Sequence, residues 1–239
     1  MVLDNRIEDI RNDSGGSGQF GNGVNAHRAG NVIVRGNRIH NCAFSAVRGN
    51  TASGIEIAGN ACSQIGECAL YSEFGFEGAV IANNTVDGAA LGVSVTNFDA
   101  GGRLAVVQGN LIRNLIANAL PRRPAGTDGN YGAGTGISVE ADSAVTGNII
   151  EDAPAAGIRV GWGQYLRDVA VTGNVVRRAG IGIAVSIVPG AGSALIADNL
   201  IAAAKRGAIV GMEWMKPVTG DLAAENRFAQ LSISGNRVR

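Results

Sequence analysis

The apolar and polar positions of this chain repeat along its length. Nine times over, a Val or Ile stands three positions before an Asn, and an apolar residue stands two positions after it. The asparagines are Asn5, Asn37, Asn60, Asn84, Asn110, Asn148, Asn174, Asn199 and Asn236. Their spacings are 32, 23, 24, 26, 38, 26, 25 and 37, a basal period near 24 with three insertions. The preceding column reads Val2, Val34, Ile57, Ile81, Val107, Val145, Val171, Ile196 and Ile233. The following one reads Ile7, Ile39, Cys62, Val86, Ile112, Ile150, Val176, Ile201 and Val238. Short apolar runs on both sides of a polar corner predict strand, turn, strand. No window carries the 3.6-residue stripe that helical repeats of similar length require.

Glycine precedes most of these asparagines, at Gly36, Gly59, Gly109, Gly147, Gly173 and Gly235. A Gly-Asn pair tolerates positive φ and so turns a corner. Stacked at equivalent corners, the Asn amides are expected to hydrogen-bond from coil to coil. Eight or nine residues further on, most repeats show a second strand, as in Gly92-Val93-Ser94-Val95, Gly136-Ile137-Ser138-Val139, Gly157-Ile158-Arg159-Val160 and Gly182-Ile183-Ala184-Val185. Looser copies begin at Gly23, Ala46, Ala69 and Gly207. One such coil cannot bury its own apolar face, but a stack of coils makes a continuous core. The chain therefore reads as all-β: a single-stranded right-handed parallel β-helix of about nine coils, one domain over 1–239.

This coil pattern resembles the right-handed β-helix superfamily of pectate lyases, polygalacturonases and alginate epimerases. More closely, it is similar to uncharacterised repeat proteins exported through the twin-arginine pathway, over nearly all of residues 1–239. That closer family carries an N-terminal twin-arginine signal, which is not found here. The resemblance thus implies an extracytoplasmic protein, periplasmic or secreted, seen without its leader. Met1 starts inside a repeat strand and Arg239 follows a repeat Asn by three residues. A fragment with uncapped end coils is the expectation, and exposed strand edges favour end-to-end self-association.

Composition narrows the partners. Lys plus Arg and Asp plus Glu are 20 each, so no global field attracts nucleic acid or anionic membrane. No apolar stretch approaches the roughly 20 residues that span a bilayer. Three cysteines and two histidines form no metal-ligand spacing, and no cofactor motif is present. Cys42 and Cys62 are expected as small core residues.

Alternation along the second strand sends one set of side chains outward. These are Asn25/His27, Arg48/Asn50, Tyr71/Glu73, Ser94/Thr96, Ser138/Glu140, Arg159/Gly161, Ala184/Ser186 and Ile209/Gly211. A solvated sheet face accounts for polarity alone. Three features point beyond it. Long insertions flank the face, at Asp13 to Gly23 and Leu120 to Gly134, where binding loops are expected. Phe74, Phe76, Phe98, Trp162, Tyr165 and Trp214 fall just beyond the strand, although the two tryptophans are equally suited to packing under their own loops. Lastly, Arg48, Tyr71, Glu73, His27 and Glu140 are types suited to acid–base work. By contrast, His40 belongs to a charged column with Glu8, Ser63, Asp87, Arg113, Glu151 and Arg177, which reads as a solvated face.

The candidate catalytic residues are Tyr71, Glu73, Arg48 and His27. Candidate substrate-binding residues are Ser94, Ser138, Glu140, Arg159 and Trp162. A uronate lyase or epimerase needs a cation for the carboxylate and a base for the neighbouring C–H proton. Arg48 or Arg159 is of the type to supply the first, and Tyr71 or His27 the second. A hydrolase needs two carboxylates about 5–9.5 Å apart. Glu73 and Glu140 are expected about 10 Å apart, with Asp99 or Asp142 as substitutes of unknown placement. The calcium-binding aspartates of pectate lyases are missing, as are the Asn-Thr-Asp, Asp-Asp and Gly-His-Gly signatures of polygalacturonases and the Asp-Pro-His motif of alginate epimerases. The resulting expectation is a protein that binds a polysaccharide along the second-strand face and processes it by lyase, epimerase or hydrolase chemistry. The alternative is a non-catalytic structural or interaction solenoid.

Overall fold

The computed structural model of the chain describes residues 1–13, 15, 18–96, 103–117, 132–225 and 227–239. The chain winds through three strand-lined faces per coil. The first face is a nine-stranded sheet in which each strand hydrogen-bonds to the equivalent strand of the next coil, from Val2–Leu3 to Leu231–Ser234. Every pairing in it is parallel. The Val/Ile column before the asparagines falls in one line, Val2 on Val34, Val34 on Ile57, and so on to Ile196 on Ile233.

Past the Asn corner, the second face stacks Ile7, Ile39, Cys62, Val86, Ile112, Ile150, Val176, Ile201 and Val238 in the same parallel manner. Strands Ala61–Glu73, Thr85–Thr96, Ile149–Val160 and Val175–Ser186 run through this face and bend into the third. At that bend the recurring glycines are required by close approach. A Cβ on Gly157 would lie 2.7 Å from the Gly182 carbonyl oxygen, and one on Gly136 2.6 Å from that of Gly157. The interior is a single column of buried Val, Ile, Leu, Ala and Cys, and Cys42, Cys62 and Cys68 are all buried free thiols.

The corner between the first two faces carries the expected ladder. Each Asn donates its backbone N–H and its side-chain amide to the Oδ1 of the next, at 2.9–3.0 Å from Asn5 to Asn236. The second amide hydrogen reaches back to the carbonyl of the previous coil's Val/Ile column, as from Asn174 to Val145 at 3.0 Å. Both halves of the amide are thereby satisfied in a buried setting. The residue before each Asn has positive φ in all nine coils, including Asp4, Asn83 and Asp198 where Gly is absent.

Two expectations need correction. In the last coil of the third face, Ile183 pairs with Ile209 and Ala184 with Val210. Ile209 therefore points inward and Val210 outward, one residue out of step with the alternation expected from Ala208. The run Ala208-Ile209-Val210 is apolar at both parities, so pattern alone cannot choose. The C-terminal end is also better covered than expected. Lys216–Asp221 pairs antiparallel with Ile209–Glu213. The Asp221 carboxylate accepts from the Ala208 and Ile209 N–H groups at 2.7 and 3.1 Å. Leu222 is buried in the main core, with Phe228 packed against it. An antiparallel strand and a side-chain cap thus close that sheet edge.

Candidate functional site

The third face sets its outward side chains in two columns of fixed register. One runs Asn25, Arg48, Tyr71, Ser94, Ser138, Arg159, Ala184, Val210. The other begins His27, Asn50, Glu73, Thr96. Glu140 stands one residue beyond the Val95–Val139 pair, on the outward side by alternation. Along the first column Asn25 is exposed, Arg48, Tyr71 and Ser138 are half-buried, and Ser94 and Arg159 are buried. Beyond Arg159 the face turns apolar, and Ala184, Val210 and Met212 form a small buried cluster with Ala156 and Ile181.

The centre of the face is an ion pair. The Arg48 Nε donates to a Glu73 carboxylate oxygen at 2.6 Å, and the side chains are 12% and 2% exposed. The same oxygen accepts from the Asn50 amide at 2.8 Å. Arg48 also donates from Nη1 to the Gly18 carbonyl at 2.6 Å and lies 5.3 Å from the centroid of the Tyr71 ring. Burial works against the Arg48 charge, but the Glu73 hydrogen bond and carboxylate together raise its pKa. For Tyr71, burial pushes the phenol above its ordinary range, and the Glu73 charge adds to the effect. The protonated phenol of Tyr71 is thereby favoured.

Both expected insertions reach this face where they are described. Gly18 and Gln19 sit over its first coils, through Arg48 and through Asn25, whose amide donates to the Gln19 carbonyl at 3.3 Å. At the other end, Gly132 lies beside the Arg159 guanidinium, whose Nη1 is 3.7 Å from where a Gly132 Cβ would stand. Tyr71, Ser94 and Ser138 lie between. The four coil steps from Arg48 to Arg159 span about 19 Å at the strand spacing. Phe98, Asp99 and residues 120–131 of the second insertion lie outside the described residues.

The structure brings Arg48, Tyr71 and Glu73 together. His27 is exposed and pairs with Asn50, which stands between it and Glu73. It lies in the second column one coil before Arg48, as Glu73 lies in that column one coil after it. Glu73 and Glu140 are two coils apart, about 10 Å by strand spacing, at the upper limit of the carboxylate separation of an inverting glycosidase. Asp142 is committed to Arg167 at 2.7 Å. Trp162 is buried, with the Arg159 guanidinium carbon 5.8 Å from its ring and the Trp214 ring edge-on at 5.3 Å. The two tryptophans thus pack on each other across Gly163, whose missing Cβ leaves room for Trp214. Phe76 belongs to the core and Phe74 is exposed. The sequence places Asn50 in the outward column without a role and gives no signal for Glu67. Glu67 contributes to the electrostatic surroundings of both Arg48 and Tyr71, yet it lies just before the bend, where alternation gives no reliable direction.

The opposite charged column is in register, with His40 Nδ1 2.9 Å from the Ser63 hydroxyl, Arg113 on Asp87 at 2.7 Å and Arg178 bridging Glu151 and Asp152 at 2.9 and 2.8 Å. Among the described residues no group of three or more His, Cys, Asp or Glu side chains is placed to hold a metal ion. No helix there is long and apolar enough to cross a membrane.

A stack of parallel coils with one polar, loop-bracketed face defines a β-helix repeat protein. The sequence profile of the family described as right-handed β-helix region matches residues 16–237, and the chain belongs to that family. No curated protein matches it significantly in sequence. Among solved structures it is similar to a tailspike protein mutant of E. coli bacteriophage HK620 in complex with a pentasaccharide. The TM-score is 0.46 and the identity 15%, over 90% of this chain and 43% of that one. A double mutant of the same tailspike, also with a pentasaccharide, gives 0.45 and 14% over the same shares. The chain spans less than half the length of those tailspike chains.

Proposed function

We propose that this is an extracytoplasmic β-helix protein that binds a polysaccharide along the third face, between Arg48 and Arg159. One observation carries the reading: Arg48, Tyr71, Ser94, Ser138 and Arg159 stand in register on five successive coils. An insertion lies against each end of the row. Hydrogen-bonding groups repeating at the strand spacing suit a polymer that presents the same hydroxyls again and again. Location outside the cytoplasm rests on the resemblance to twin-arginine-exported repeat proteins.

Binding comes first in this reading and processing second. Arg48 is engaged by Glu73 and the Tyr71 phenol is favoured in its protonated form, so neither of these two is a ready cation or base for uronate elimination or epimerisation. Self-association is part of the proposal, since the parallel first sheet presents unpaired edges at Val2–Leu3 and Leu231–Ser234 among the described residues, and such edges template further pairing. Sedimentation at several concentrations tests it, and a monomer throughout counts against it.

The test of binding is affinity electrophoresis and calorimetry against a panel of soluble polysaccharides. Tyr71→Phe and Ser138→Ala should each weaken binding severalfold while melting like the wild type. Arg177→Ala, on the second face, is the control. Equal losses in the control and the two site variants would move the site elsewhere. Absence of binding to the whole panel would favour the structural solenoid.

A further inference from the structure

We infer that the edge by which the chain leaves the third face is an aromatic flank, on which Phe74 and Trp214 each stack a pyranose ring of the bound polymer. The inference rests on the proposed polysaccharide site and assigns it two stacking subsites. Among the described residues the exposed Phe and Trp side chains are Phe20, Phe74 and Trp214. Phe20 belongs to the first insertion, whereas the other two stand at the same edge of the third face. Phe74 directly follows Glu73, the last residue of its strand, and Trp214 directly follows Glu213, the last residue of its own. Both have left-handed backbone, with φ at 60° and 55°, where small or short polar residues are the usual choice. A bulky aromatic in that conformation, turned to solvent, gains little for the fold.

Trp214 is the more firmly seated of the two. Its strand lies two coils beyond Arg159, yet its ring reaches back to Gly163, where an added Cβ would come within 2.3 Å of the indole. The Trp162 ring meets it edge-on at 5.3 Å, and the Arg159 guanidinium carbon lies 5.8 Å from the Trp162 ring. The Ser186 hydroxyl fixes the same segment by donating to the Gly163 carbonyl at 2.7 Å. Trp162 is buried by this packing, while Trp214 keeps 44% of its surface open beside the end of the polar row. Phe74 belongs to the coil of Tyr71 and Gly163 to that of Arg159. The two aromatics therefore sit about three coil steps, or 14 Å, apart along one edge.

A sugar polymer presents two kinds of surface. Hydroxyls around each ring suit the Tyr71 and Ser138 hydroxyls, while the C–H groups of a ring face are apolar and pack on the electron-rich face of an aromatic ring. A polar row with aromatics on its flank offers both surfaces, and the stacking contact asks for a pyranose whatever charge that ring carries.

The experiment titrates the intact chain with hexasaccharides of β-1,4-linked glucose, N-acetylglucosamine, mannuronate and galacturonate. Calorimetry is one readout, and the other is tryptophan emission in Trp162→Phe, where Trp214 is the sole tryptophan. At least one of the four should bind and change the Trp214 emission saturably, with the calorimetric midpoint. For that ligand Trp214→Leu and Phe74→Leu should each lose roughly three- to tenfold in affinity, and Trp214→Tyr less, because it keeps a planar ring. Urea midpoints show whether the variants remain folded, and the emission readout holds even if Trp214→Leu does not. Binding that leaves Trp214 emission unchanged, or that folded Leu variants retain in full, overturns the inference. If Tyr71→Phe weakens that same binding, the polysaccharide site still stands. Binding of none of the four refutes the site itself, and the inference falls with it.

Discussion

The backbone N–H and the side-chain amide of Asn148 both donate to the Oδ1 of Asn174, at 3.0 and 2.9 Å. Asn174 in turn donates to Asn199 and to the Val145 and Thr172 carbonyls. Truncation at this position removes an acceptor shared by two buried donors, as well as the donors to two carbonyls. Each orphaned group costs about 1–3 kcal/mol. Asn174→Ala should therefore destabilise the stack by about 3 kcal/mol or more, read as a lowered urea midpoint. Asn5→Ala, at an exposed corner whose amide donates to its own Leu3 carbonyl, should cost much less. Equal costs at the two positions would mean that burial of the ladder is not what makes it matter.

A second corner recurs four residues after each of the first eight ladder asparagines. Asp9, Asn41, Gln64, Gly88, Asn114, Asp152, Arg178 and Ala203 all have φ between 50° and 81°. Left-handed backbone costs a residue with a Cβ about 1–2 kcal/mol, and a glycine nothing comparable. Ala203→Gly should then raise stability by roughly 1 kcal/mol, despite the glycine's greater freedom when unfolded. The converse test is Gly88→Ala, at φ 81° with no atom nearer than 3.7 Å to the new Cβ. It should lose about 1–2 kcal/mol from conformation alone. Unchanged denaturation midpoints in both variants would remove the corner from the account.

The two corners show what was legible beforehand. The ladder corner announces itself because Asn recurs in all nine coils, and the Gly before it recurs in six. The second corner has no residue type in common, only a shared φ, so no column of letters marks it. The third face was legible as an alternation of inward and outward positions until the last coil, where Ile209 and Val210 are both apolar. The site was legible as a list and not as a set of contacts. Arg48 and Glu73 are diagonal neighbours in different columns, and their pairing depends on side-chain reach that register alone does not give.

The buried thiols make stability depend on alkaline pH. Burial pushes the Cys42 thiol from 9.0 up to about 11, and it drives Cys62 and Cys68 higher still. Between those values the unfolded chain releases a proton that the folded chain keeps, so unfolding gains as pH rises. The contribution is whole below about pH 9 and is lost as pH climbs through about 11, with the raised Tyr71 phenol acting in the same direction. Melting temperature should fall between pH 9 and 11, less steeply in Cys42→Ala than in the wild type. Thiol reagents at pH 8 should label all three cysteines only after denaturation. Parallel pH slopes in the two proteins, or rapid labelling of the folded chain, would contradict the burial.

The Arg48–Glu73 pair separates what holds the third face together from what it binds. Glu73 is buried and Arg48 is only 12% exposed, so removing one partner leaves the other charged and unmatched, at a cost of up to about 3–5 kcal/mol. Arg48→Met should cost that much, with Glu73→Leu similar and made worse by the loss of the Asn50 contact. Replacing both removes the stranded charge, so the double variant should be far more stable than the two single losses added together predict. Urea melts of all four proteins give the coupling energy. A coupling near zero would mean that solvent already screens the pair. If the double variant folds well but no longer binds a glycan that the wild type binds, the pair serves recognition in addition to the fold. If it folds well and binds unchanged, recognition rests on the neutral row from Tyr71 to Ser138, and Arg48 serves the face only as the tether for the loop at Gly18.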